Sequence, residues 1–126
     1  ILGERVLTTI ENEFKQWLMG IQEDDPLPYE ISHVYFLVDF SNNDIAVSYT
    51  GSDRPLIIFD FAVYCPLEAE YFFCSELRQI AQTKPNKQSK KQFLEQLKTS
   101  ILKVVKSLPF LKNKKVFVGE RFEKVA

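Results

Sequence analysis

Val6, Leu7, Ile10, Phe14, Trp17, Leu18 and Ile21 recur at three- and four-residue intervals between residues 4 and 21, a spacing that gathers them within about 120° of arc on a helix. One helix with a single core-facing stripe is predicted there. It should stop before QEDDPLPYE, because Pro26 and Pro28 lack backbone donors and hold the residues before them extended. The pattern then changes. Residues 31–40 (ISHVYFLVDF) are dense in β-branched and aromatic side chains and too apolar on both sides for an amphipathic helix, which predicts a strand with both faces covered. SNND supplies turn residues. In DIAVSYT, Ile45, Val47 and Tyr49 alternate with Ala46, Ser48 and Thr50, so residues 31–50 predict a hairpin. A second turn is expected at GSDRP and a third, central strand at LIIFDFAVYC, the most apolar stretch.

Pro66 suits the first position of a helix, and Glu68 and Glu70 suit its first turn, so a helix is predicted over residues 66–82, closed by TKPN. Another is predicted from Ser89 to Ser107, with Phe93, Leu94, Leu97, Ile101, Val104, Val105 and Leu108 on one arc. Ser89 and Gln92 fit a capping box, which makes Lys90 and Lys91 its first two residues and leaves Lys87 just outside. Pro109 ends it, and KKVFVGERF predicts an edge strand through Val116 and Val118. The order α-β-β-β-α-α-β predicts an α+β fold: a two-layer sandwich, an antiparallel meander of three to four strands with helices on one face. The arrangement is loosely similar to that of small bacterial immunity proteins and secretion chaperones; no stretch carries a signature of either.

At 126 residues, 45% of them hydrophobic and 13% aromatic, residues 1–126 are expected to form one domain with a core that needs neither metal nor disulfide. The longest apolar run is broken by Asp60 and falls short of the roughly 20 residues of a membrane span. The first residues carry acidic charges on a helical stripe, unlike a signal peptide. Cys65 and Cys74 are too few for a disulfide framework and are expected to be thiols, which suggests a cytoplasmic setting. Phe36, Phe40, Tyr49, Phe59 and Phe61 exceed what a single-sided sheet needs, and predict a homodimer or a partner on the sheet face.

Charge divides the chain. Residues 1–63 carry three basic against eleven acidic side chains, a net of −8, and residues 64–126 carry thirteen against six, a net of +7. Between residues 78 and 118 only Glu95 opposes eleven Lys and Arg. Lys87, Lys90 and Lys91 at a helix N-terminus would place cations where unpaired N–H groups already favour an anion. With Lys98 and Lys103 farther along, they form a candidate anion-binding face for nucleic acid or another polyanion. No exposed-looking aromatic residue is interleaved with these lysines as single-strand binding requires, Phe93 belonging to the core stripe. Glu23, Asp24, Asp25, Asp39, Asp44 and Asp53, near turns and strand ends, form a candidate surface for a basic protein partner.

Catalytic chemistry has little support. His33 is the sole histidine, there is no glycine-rich phosphate loop and no nucleophile elbow, so neither catalytic residues, a metal nor a cofactor is expected. Asp60 on an apolar strand is expected to be structurally paired, and a Cys65–His33 dyad has no spacing in its favour. A non-enzymatic protein-interaction domain of the immunity or chaperone type is the leading expectation, with binding of nucleic acid or another polyanion through the lysines as the alternative.

Overall fold

The computed structural model of the chain describes residues 3–41, 43–55, 64–66 and 71–120. The first apolar stripe builds α1 (Glu4–Asp24), burying Ile10, Phe14, Leu18 and Ile21. α1 outlasts its expected end by three residues, because Pro26 restricts only what immediately precedes it. The Asp25 N–H still closes onto the Ile21 carbonyl at 2.7 Å. The next donor, the Leu27 N–H, is taken up by Gln22 Oε1 at 2.9 Å.

The hairpin forms as expected from β1 (His33–Phe40) and β2 (Ile45–Ser52), antiparallel with Phe36 opposite Tyr49 and Val38 opposite Val47. Ser41 closes the turn by donating both its N–H and its hydroxyl to the Asp44 carbonyl, each at 3.0 Å. β2 continues through Gly51 and Ser52, two residues into the expected second turn. Alternation turns Val34, Phe36, Val38, Ile45, Val47 and Tyr49 toward α1, where they join one buried cluster. Phe36 stacks on Tyr49 at 5.2 Å, and Phe14 meets Phe36 edge-on at 5.5 Å. Phe36 and Tyr49 therefore do not mark a face for a partner; they are the surface on which the helices pack, with half-buried Phe40 at its edge. Phe59 and Phe61 lie outside the described residues.

After β2 the chain departs from expectation. Of the predicted third strand, residues 56–63 lie outside the described set, and Tyr64 forms an isolated antiparallel bridge to Gly51 with both bonds at 2.9 Å. Residues 71 and 72, expected in a helix, form the short strand β3 (Tyr71–Phe72) against Ser48 and Val47. Phe72 explains the change, because in this edge position its ring fills the space between Phe14 (5.2 Å) and Trp17 (5.6 Å). The helix is thereby shortened to α2 (Ser75–Gln82), and Cys74 is its N-cap residue, not an internal one.

α3 (Lys87–Lys106) buries Phe93, Leu94, Leu97, Ile101, Val104 and Val105, while Leu108, also buried, lies past its end and caps a 3-10 turn at Pro109–Leu111 that leads to β4 (Lys115–Glu120). The fold is α+β, with the sheet ordered β3-β2-β1-β4. The sheet is mixed, however: β4 pairs with β1 in parallel, His33 opposite Lys115, where an antiparallel meander was expected. α3 imposes this direction. Its first turns lie beside Phe40, with Phe93 6.1 Å from that ring, and its 20 residues return the chain by about 30 Å to the other end of β1. A strand that starts there can only run alongside β1 in the same direction. Among the described residues, no helix is long and apolar enough to cross a membrane.

Candidate anion-binding site

α3 starts two residues before the expected point. Asn86 is the N-cap: its Oδ1 accepts the Ser89 N–H at 2.8 Å, and its carbonyl accepts the Lys90 N–H at 2.9 Å. Both Asn86 and Ser89 are good capping types, and Asn86 takes the role because Pro85 ahead of it already excludes helix. Lys87 is consequently the first helical residue, and Lys90 and Lys91 lie one turn in, so the capping-box assignment is corrected. Just upstream, α2 ends through Thr83 and Lys84, whose φ of +49° is the left-handed conformation usually given to glycine. This tight connection gathers Lys84 with Lys87, Lys90 and Lys91 at one end of the molecule. All four are exposed, and none is ion-paired to a described residue.

The remaining predicted lysines belong to a different environment. Lys98 pairs with Glu95 at 3.8 Å, and Lys103 reaches across to α1, where Glu11 accepts it at 3.3 Å and also accepts the Ser100 hydroxyl at 2.8 Å. Charge on Lys98 and Lys103 is thus partly matched within the fold. The anion-binding candidates divide into an unmatched group at the start of α3 and a matched pair along its length.

A cavity of about 570 Å³ opens beside the unmatched group. The β1–β2 turn supplies Phe40, Ser41, Asn43 and Ile45, and the α2–α3 connection supplies Ala81, Lys84, Pro85 and Lys90. Its lining mixes apolar Phe40, Ile45 and Ala81 with polar Ser41 and Asn43 and the two ammonium groups of Lys84 and Lys90. Lys90 Nζ lies 6.0 Å from the centre of the Phe40 ring. Lys84, Phe40 and Asn43 were not among the predicted site residues. The long basic run contained Lys84, but nothing local in sequence links Phe40 to a helix that begins 47 positions later.

The acidic candidates do not form one surface. Glu23, Asp24 and Asp25 are exposed at the C-terminal end of α1, where the Asp25 carbonyl accepts the Tyr64 hydroxyl at 2.6 Å. Tyr64 bridges to Gly51, which places Asp53, beside Arg54 at 3.6 Å, at the same end of the sheet. Asp39 and Asp44 sit at the other end of the hairpin, roughly 20 to 25 Å away along eight-residue strands. Asp44 is also occupied, since one oxygen accepts the Ile45 N–H at 2.9 Å and the other pairs with Arg78 at 3.3 Å.

No dyad is assembled from His33 and Cys65. His33 Nδ1 shares a hydrogen bond with the Ser32 hydroxyl at 2.7 Å on β1, whereas Cys65 follows Tyr64 on the far side of β2, about 10 Å away across two strand spacings. Asp60 lies outside the described residues. Cys65 and Cys74 are not bridged by a disulfide. Cys74 instead meets Glu13 and Glu76, with one potential ligand atom of each within 4.8 Å of the others. Burial pushes the Cys74 thiol up to about 11, with both carboxylates acting in the same direction. The Glu13 carboxyl is also raised, first by burial and then by Glu76. The three groups join α1, through Glu13, to the first turn of α2.

No family model matches the chain, and no curated protein or solved structure matches it either. Function is therefore read from the site's own geometry.

Proposed function

We propose that this domain is a non-enzymatic binding module that takes a phosphate-bearing polyanion, nucleic acid foremost, on Lys84, Lys87, Lys90 and Lys91. The observation that supports this reading is the convergence of four exposed lysines, unpaired with any described acid, at the N-terminal end of α3. Helix N-termini leave their first N–H groups unmatched, so cations there raise an already favourable potential for phosphate. The test is binding of a labelled single strand and a labelled duplex across a salt series. Affinity should fall steeply with salt, and Lys87→Ala, Lys90→Ala and Lys91→Ala combined should flatten the log-log slope by about 2 for a single strand, at about 0.7 for each phosphate no longer neutralised. Binding that is absent near physiological salt, or unchanged in the triple variant, would remove the reading.

A second reading rests on Glu23, Asp24, Asp25 and Asp53, which share one end of the sheet and suit a basic protein partner, with the cytoplasm as the setting we propose for the two thiols. A homodimer on the sheet face is a further part of this reading. Sedimentation equilibrium giving a monomer would eliminate the dimer.

A further inference from the structure

The aromatic residue that the sequence sets among the lysines, Phe93, is buried, yet the fold brings another to them. Phe40, the last residue of β1, lines the cavity whose rim carries Lys84 and Lys90. Its ring is held from behind by Phe93, edge-on at 6.1 Å and 78°, so its orientation is set before any ligand arrives. Lys90 Nζ stands over the half-buried ring, 6.0 Å from its centre and at the outer limit of a cation–π contact, so a base that stacks there takes the place of this exposed side chain. The cavity, about 570 Å³, is within the roughly 300–1,000 Å³ typical of small-ligand pockets. Asn43 at the rim offers an amide with both donor and acceptor.

A mixed lining with an aromatic ring, an amide and flanking ammonium groups matches one unstacked nucleotide better than a bare phosphate or a closed duplex. A duplex keeps its base faces covered, whereas a single strand can offer a base to the ring and its phosphates to the lysines. We infer that the ligand of this site is single-stranded nucleic acid, one base of which enters the cavity and stacks on Phe40 while adjacent phosphates pair with Lys87 and Lys91. This rests on the polyanion reading given under Proposed function and adds to it the form of the ligand and the residue that recognises it.

The experiment compares wild-type protein and Phe40→Leu on a labelled oligothymidine, the same oligomer made abasic, a duplex, and inorganic polyphosphate. Leucine keeps apolar bulk against Phe93 but removes the π face, and a thermal melt confirms that the variant folds. Oligothymidine should bind more tightly than duplex, and both Phe40→Leu and removal of the bases should weaken it by roughly tenfold, the loss of one stacked base. Polyphosphate binding should be the same in both proteins. Equal affinity for oligothymidine and its abasic form overturns the stacking inference with wild-type protein alone, whatever the variant does. If polyphosphate binds and single strands gain nothing over duplex, stacking fails and the polyanion reading stands; if no anion binds, both fail.

Discussion

Lys84 adopts a backbone conformation in which a β-carbon is crowded and glycine is the usual occupant. Its ammonium group stands on the cavity rim, so a less comfortable residue is kept where it adds charge. Lys84→Gly should leave stability unchanged or raise it by up to about 1 kcal/mol, strain relief being offset in part by glycine's unfolded-state entropy. The same substitution should weaken polyanion binding, and urea denaturation alongside a binding isotherm reads both effects. At Cys74 the governing influence is burial, which holds the thiol up to about 11. In a Cys65→Ser protein, alkylation of Cys74 should be slow at neutral pH and rise about tenfold per pH unit, without a plateau below about pH 11. The folded state holds this proton more tightly than the unfolded chain does. Stability should therefore decline as pH rises from the ordinary thiol range toward 11, and Cys74→Ser should lose the part of that decline below pH 10, where the buried Tyr49 and Tyr64 hydroxyls do not yet contribute.

Among elements, β2 carries the tightest constraint. A β-carbon on Gly51 would lie 2.6 Å from Ile31 Cγ2 and 3.5 Å from the Tyr64 β-carbon, and Ile31 is itself buried. Gly51→Ala should destabilise the domain by about 1–3 kcal/mol, measured by urea denaturation, because a packed side chain has to move. Gly51 looked like turn material beside Ser52 and Asp53, since glycine marks turns and close approaches alike. α1, the hairpin and the body of α3 were legible because their apolar positions keep one period over many residues. The segment around Tyr71 and Phe72 was not. A short run of aromatic residues satisfies helix and strand patterns equally, and the decision fell to the space between Phe14 and Trp17. The start of α3 was ambiguous for a local reason, two good caps three residues apart.

For the whole molecule, the sheet order β3-β2-β1-β4 puts β1 and β2 inside and β4 at an edge. Native-state hydrogen exchange should be slowest for the amides of β1 and β2 and faster for those of β4, which among the described residues pairs on one side. Comparable protection of β4 would mean that its outer edge is covered in solution. At this scale the division of charge acquires a shape. Four of the acidic candidates gather where β2 ends, beside the C-terminal end of α1, and the unmatched lysines gather at the opposite end, by the β1–β2 turn.

Hydrophobic periodicity by itself determined the α+β class, the two long helices, the hairpin and nearly the whole core, because each is a local repeat that the chain carries wherever it goes. Residue counts likewise determined that the second half of the chain is basic. Only the tertiary structure decided that β4 runs parallel to β1, that Glu11 matches Lys103 while Lys87 and Lys91 stay unmatched, and that Phe40 stands beside Lys90. Each of these is a meeting of residues about 50 or more positions apart. A one-dimensional pattern records which side chains want burial or charge, but their partners are set by the path of α3 across the sheet.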